Sequence, residues 1–409
     1  MPAPIAHGRR RFSGRDPEEE HRASTPLELL FDLTIVVAFG TAADELAHFI
    51  ADGHAWEGVG GFAFACFAVI WAWVNYSWFA SAYDTDDWLF RLATMVQMVG
   101  VIVLSLGLPQ MFESIDHGGT LDNGVMVSGY VVMRVAALFL WWQVSRHDPP
   151  HAVAARTYMT TIGVAQLGWI ALVFVDLPIV TTFALMVPLF VIELAGPYIA
   201  ERKAQTPWHV EHIVERYGLL VIITLGEVII GTVAALNALV HGEHGWTLDA
   251  ALLAVAGVGL AFGCWWVYFA LPWYETVRNR DRIFRFAHGH FLIFGSLAAL
   301  GAGVHVAAFA LEGEAEISDV GVVLSVTLPV ALYTLALYVL YSVLARTADP
   351  FHLLLLGLTA AVFVLTVVLA AAGASVAVCL LVLMLAPVVT IVGYETVGHR
   401  HVAEAVERL

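Results

Sequence analysis

Charge is what this chain has least of. Only 13% of its 409 residues are Asp, Glu, Lys or Arg, where an ordinary soluble domain carries about a quarter. Apolar residues make up 60%, and the mean hydropathy is +0.79. That balance excludes a soluble globular protein and implies a polytopic membrane protein in a lipid bilayer. Cysteine is also scarce: Cys66, Cys264 and Cys379 lie far apart inside apolar runs, offering neither a metal-type CxxC nor an evident disulfide pair. They read as small core hydrophobes. Loops are short throughout, so no water-facing catalytic domain fits, and no GxSxG, HExxH or P-loop signature occurs. The chain is therefore expected to be neither an enzyme nor a holder of a cofactor or metal. Nothing supports nucleic-acid binding, since the net charge is -16.

Apolar runs near the 20-residue length that a bilayer core requires fall at about 27 to 50, 59 to 80, 88 to 112, 124 to 145, 154 to 175 and 178 to 200. A second set follows at about 213 to 240, 247 to 272, 286 to 311, 318 to 345, 352 to 371 and 373 to 396. The expected fold is all-α, a transmembrane helix bundle of about twelve spans. Its parts are a first half at 27–200, a cytoplasmic connection at 201–212 and a second half at 213–397, flanked by a disordered tail at 1–26 and a tail at 398–409. The basic cluster Arg9, Arg10 and Arg11 superficially resembles a twin-arginine signal, but an acidic polar segment follows where an apolar region should come.

Charge patterning sets the orientation. With the N-terminus inside, the inner segments hold Arg91, Arg146, Arg156, Arg202, Lys203 and the group from Arg278 to Arg285, whereas the outer loops hold acids such as Asp52, Glu57, Asp176, Glu243 and Asp249. Lys and Arg favour the cytoplasmic side, so the expected location is the cytoplasmic (inner) membrane with both termini cytoplasmic. Arg134 alone among the bases falls in the middle of a span.

Two stretches stand out. In Leu27 to His48, Glu28 and Asp32 are four residues apart and share a helical face. In His209 to Glu227, His212 and Arg216 have the same spacing, and Glu227 returns to nearly the same angle eleven residues later. Both spans run into a Gly-Thr pair, Gly40-Thr41 and Gly231-Thr232, which is compatible with a 6+6 parallel repeat. The segments LELLFDLTIVVAF and ERYGLLVIITLGE, around Glu28, Phe31 and Asp32 and around Glu215, Arg216, Gly218, Gly226 and Glu227, resemble the bacterial low temperature requirement A (LtrA) family of multi-span membrane proteins. The resemblance covers most of the chain from about Thr25, and implies a phenotype, growth in the cold, rather than a biochemical activity.

Ionisable groups at membrane depth cost roughly 2.5–3.5 kcal/mol on insertion scales and mark functional candidates. Those of the polar core are Asp32, Arg134, Glu215, Arg216, Glu227, His212, Glu28 and Glu193. Each has a plainer reading. Glu28 suits the acidic first turn of a helix after Thr25-Pro26. Arg134 needs an acidic partner or a water-filled cavity, with Glu227, Asp44 and Glu45 as candidate partners, and such a pair is either structural or opens as its carboxylate takes a proton. The stripe His212, Arg216 and Glu227 is either a proton or ion path or a hydrogen-bonded interior seam. His209 and His212, and His288 and His290, are interfacial rather than metal-binding, and Trp71, Trp73 and Trp78 read as an aromatic belt. Two functions fit: a transporter or channel-like pathway for a small solute or ion, coupled to protons, or a membrane-resident accessory protein of stress adaptation whose polar seam is structural. Substrate and oligomeric state are not legible.

Overall fold

The chain was analysed as a computed structural model that describes residues 10–20, 22–241, 245–347 and 349–409. Among these residues all regular structure is helical, apart from one isolated bridge between Thr120 and Pro178. The long helices are α1 (Pro26–Ala51), α2 (Ala55–Tyr83), α3 (Trp88–Leu106), which continues past Gly107 as α4 (Leu108–His117), α5 (Gly124–His147), α6 (Ala152–Val173), α7 (Ile179–Lys203) and α8 (Val210–His241). The series goes on with α9 (Leu248–Phe269), the short α10 (Trp273–Val277), α11 (Ile283–Glu312), α12 (Asp319–Ala345), α13 (Pro350–Ala371), α14 (Val376–Leu383), α15 (Leu385–Gly393) and, after a π-helical turn at Tyr394–Gly398, α16 (His399–Glu407). The outer-loop acid Glu243 lies outside the described residues.

Among the described residues, eleven helices are long and apolar enough to cross a membrane, one fewer than the sequence reading of twelve. The difference is α6. It forms where a span was expected, and its 22 residues reach roughly 33 Å at 1.5 Å rise. Arg156, Thr157, Thr160, Thr161 and Gln166 leave it too polar to stand with the others.

Helix starts follow local chemistry. α1 opens on a capping box: the Thr25 hydroxyl accepts from the Glu28 amide at 3.3 Å, the Glu28 carboxylate accepts from the Thr25 amide at 2.7 Å, and Pro26 takes the first turn. Asp87, Thr247, Ser318, Asp349 and Ser375 cap α3, α9, α12, α13 and α14 in the same spirit.

The chain divides into two compact units, Met1–Ala38 with Ala68–Arg216, and Phe39–Phe67 with Tyr217–Leu409. These are not the sequence halves 27–200 and 213–397: the second parts of α1 and the first part of α2 belong with the later helices. In unit 1, α3 and α5 approach through Gly100 and Gly129, where a Cβ on Gly100 would come 2.7 Å from the Gly129 carbonyl oxygen. In unit 2, the Tyr333 hydroxyl donates to the Cys264 carbonyl at 2.6 Å and pins α12 to α9. Gly303 sets α11 against the α12 backbone at Ser325. Small residues at such contacts let backbones approach where lipid gives no hydrophobic drive.

Residues 10–20 and 22–25, expected as part of a disordered tail, are laid against unit 1. Phe12 is fully buried beside Phe79, the Arg10 amide donates to Asp87 at 2.8 Å, and the Gly14 amide donates to Asp148 at 3.1 Å. Arg22 is buried and donates to the Ala80 carbonyl at 2.8 Å, while the Ser24 amide donates to Glu215 at 3.3 Å. The reason is one aromatic anchor and backbone amides that donate to the carboxylates of Asp87, Asp148 and Glu215, which a composition-based reading cannot weigh. Burying Phe12 contributes about 1.5–3 kcal/mol, so Phe12→Ala is expected to speed tryptic cleavage after Arg22 by roughly tenfold or more while the helices stay folded. Equal cleavage rates in parent and variant would show the segment is held without it.

Candidate functional site

The acids of α1 and the bases of α8 interlock in unit 1. Glu28 and Asp32 are one turn apart on α1, His212 and Arg216 are one turn apart on α8, and each acid meets one base. Asp32 receives a bidentate pair from Arg216, Nη2 to Oδ1 at 2.6 Å and Nη1 to Oδ2 at 2.8 Å, with both side chains fully buried. A third helix completes the shell with the same spacing. On α2, the Trp73 indole donates to Asp32 Oδ1 at 2.7 Å and the Ser77 hydroxyl accepts from Arg216 at 3.2 Å. The Arg216 guanidinium also sits 5.7 Å from the Trp73 ring. One turn back, His212 Nε2 is 3.2 Å from the Glu28 carboxylate, which Thr25 already caps and which Arg22 approaches at 3.9 Å. Asp84, just past the end of α2, is pushed up to about 6 because burial disfavours its charge and Glu28 adds like-charge repulsion.

A second buried pair lies in unit 1. Arg134 on α5 donates to Glu193 on α7 at 2.7 Å, both nearly fully buried. Trp71 on α2 donates to the same carboxylate oxygen at 2.6 Å, and Arg134 also donates to the Tyr130 hydroxyl at 3.1 Å. The partner of Arg134 is thus Glu193, not Glu227, Asp44 or Glu45. Glu193 lies in the middle of α7. Trp71 and Trp73 are likewise buried donors to carboxylates rather than members of an interfacial belt. A buried carboxylate needs donors, and an indole supplies one without adding charge.

The remaining candidates separate. Glu215 is half-buried and receives the Ser24 amide, so it anchors the N-terminal segment. His209 Nε2 meets the Glu19 carbonyl at 2.9 Å, His288 is exposed and bonded to the Phe284 carbonyl, and His290 is buried against the Tyr268 hydroxyl at 2.8 Å. Each imidazole of the two His pairs serves a different protein partner.

Glu227 lies in unit 2 and differs from every acid above. It is 5% exposed, and among the described residues no hydrogen bond or ion pair reaches its carboxylate. Space for it comes from glycine. A Cβ on Gly40 of α1 would sit 3.1–3.2 Å from its two oxygens, and a Cβ on Gly301 of α11 would sit 2.8 Å from its own Cβ. One turn along, Asp44 of α1 and His305 of α11 face each other at 3.9 Å.

The sequence model for the bacterial low temperature requirement A protein (LtrA) matches residues 23–387. The chain belongs to that family. The matched region contains the Asp32–Arg216, Glu28–His212 and Arg134–Glu193 contacts as well as Glu227. A protein of Rhizobium meliloti (strain 1021), uncharacterized protein RA0937, is 28% identical over 267 residues, which covers 62% of this chain and 60% of the relative. The match thus spans less than two thirds of the relative's length. No solved structure matches.

What this LtrA-family arrangement can do follows from how its charges are held. Asp32 with Arg216 and Arg134 with Glu193 are closed pairs, with geometry that fixes helices and leaves little to exchange. Glu227 is a buried carboxylate set against two glycines, with no cation paired to it among the described residues. An intramembrane acid in that condition must bind a proton or cation to stay buried.

Proposed function

We propose that this multi-pass membrane protein is a transporter or channel-like pathway for a small solute or ion, coupled to protons, with Glu227 as the group that changes occupancy. On the charge pattern of its loops it sits in the cytoplasmic membrane with both termini inside. The observation that carries the reading is the unpartnered, buried Glu227 set between Gly40 and Gly301. The pairs of unit 1 serve in this reading as the frame, and no covalent chemistry is assigned to any of these groups.

The test is flux in proteoliposomes, with an entrapped pH indicator and a panel of small solutes. Glu227→Gln is expected to lower proton-linked flux by roughly tenfold or more while eluting as a single folded species, and Glu227→Asp to retain part of it. Equal flux in Glu227→Gln would remove this carboxylate from the pathway. Absence of flux in the parent would favour a second reading, a membrane-resident accessory protein of stress adaptation. What supports that alternative is the closure of the Asp32–Arg216 and Arg134–Glu193 pairs, which act as structural clamps whatever else the protein does.

A further inference from the structure

Three helices of unit 2 carry matched stripes around Glu227, each stepping by four residues and so by about one helical turn. On α1 the stripe is Gly40, Asp44 and His48. On α8 it is Glu227 and Gly231. On α11 it is Gly301, His305 and Phe309. At the first level the Glu227 carboxylate lies against the two glycines. At the second, His305 Nδ1 is 3.9 Å from an Asp44 oxygen, and the opposite edge of the ring is turned to α8, where a Cβ on Gly231 would lie 3.2 Å from its Cδ2. At the third, His48 Nδ1 is bonded to the Asp44 carbonyl at 2.9 Å with the other Asp44 carboxylate oxygen 3.9 Å away, and its ring packs on Phe309 at 4.7 Å.

Exposure rises along this series. Glu227 is 5% exposed, the His305 side chain 17%, and those of Asp44 and His48 54% and 53%. Nδ1 of His305 is a buried atom with no hydrogen-bond partner among the described residues. Two ionisable groups without a hydrogen-bond partner among the described residues thus stand one turn apart, with Gly231 of α8 and Gly301 of α11 at the contact beside them. Glu45 supplies a second acid on α1 beside Asp44, and α9 meets α8 one turn further along through the uncharged Thr232 and Gly257. The other imidazole deep on α11, His290, is held by Tyr268 and the Phe286 carbonyl.

We propose that His48, Asp44 and His305 form a proton relay that connects Glu227 to the end of the bundle where α1 turns into α2. This deepens the reading of Glu227 as the exchanging group and rests on it. A proton from water is taken by Asp44 or His48 and passes to His305 at Nδ1. The imidazolium so formed releases a proton from Nε2 toward Glu227, turning carboxylate into carboxyl and leaving the imidazole neutral again. Transfer in the other direction reverses each step, so charge and protons balance. The two 3.9 Å separations exceed a direct hydrogen bond, so a bridging water or rotation of the exposed Asp44 side chain completes the hops at Asp44, and a bridging water carries the proton over the turn from His305 to Glu227. The glycines matter because any side chain at Gly231 or Gly40 would fill the gap that the transfer crosses.

The relay is read without solute or gradient, by time-resolved infrared spectroscopy of the full chain in lipid nanodiscs after a downward pH jump. The carboxyl band of Glu227 is assigned by its loss in Glu227→Gln. His305→Gln is expected to slow the rise of that band by roughly a hundredfold, the low end of what a positioned proton carrier contributes, with its final amplitude kept. Asp44→Asn, at an exposed position that folding does not need, is expected to slow it too, and His288→Gln to leave it unchanged. A parental rate in both His305→Gln and Asp44→Asn overturns the relay, as does a carboxyl spectrum that Glu227→Gln leaves unaltered. Slowed bands with no flux in vesicles would sink the transport reading alone, and flux with parental band rates would sink the relay alone.

Discussion

Arg216→Ala is expected to cost the protein about 3–5 kcal/mol, the penalty for leaving one member of a buried ion pair uncompensated. Asp32 would keep its Trp73 bond but lose both guanidinium contacts, at 2.6 and 2.8 Å, at a fully buried position. The measurement is thermal unfolding in detergent together with the fraction recovered as a single species. Arg216→Lys should fall between, because an ammonium cannot span both Asp32 oxygens and reach Ser77 as the fork does. The informative control is the double variant Asp32→Leu with Arg216→Leu. Removing both charges lifts the desolvation cost along with the attraction, so it should recover most of what the single variant loses. Parental stability in Arg216→Ala would show that the pair is not a clamp, and would return Asp32 to the list of exchanging acids.

The same pair marks the limit of what the sequence discloses. Every long helix was legible from the length of its apolar run, because the bilayer fixes that length and leaves little to tertiary context. The run at 27 to 50 became Pro26–Ala51, and that at 318 to 345 became Asp319–Ala345. Helical period also put Glu28 with Asp32 and His212 with Arg216 on shared faces. Which face meets which is another matter, since it depends on how helices pack. Arg134 shows the consequence: depth along the chain pointed to Glu227, Asp44 and Glu45, while its side chain reaches Glu193 on α7. Matching spacing was the usable signal for Asp32 and Arg216, as two acids four apart and two bases four apart can close two contacts at once. Trp71 and Trp73 gave no such signal, for an indole near a span end looks the same whether it faces headgroups or a carboxylate. Gly40 and Gly231 were visible only as parts of two Gly-Thr pairs, and the structure uses them to make room beside Glu227 and His305.

Those glycines divide into two kinds, and the division yields the second large effect. At Gly301 an added Cβ would lie 2.8 Å from Glu227 Cβ and 2.9 Å from its carbonyl carbon, so the obstacle is α8 backbone. A Cβ on Gly231 would face back across the same contact, 2.9 Å from the Gly301 carbonyl oxygen. Nothing there can yield except by parting α8 from α11. Gly301→Leu is therefore expected to destabilise by about 3 kcal/mol or more, the upper range of overpacking, and to lower the unfolding temperature in detergent sharply. At Gly40 the obstacle is the far end of a flexible side chain, the Glu227 carboxylate at 3.1–3.2 Å, which shifts by a few tenths of an ångström at little cost. Gly40→Ala should leave stability within about 1 kcal/mol of the parent while moving the infrared band of Glu227. The reverse order, a tolerated leucine at 301 and a disruptive alanine at 40, would mean that the carboxylate is wedged rather than free, and a wedged carboxylate has no room to exchange.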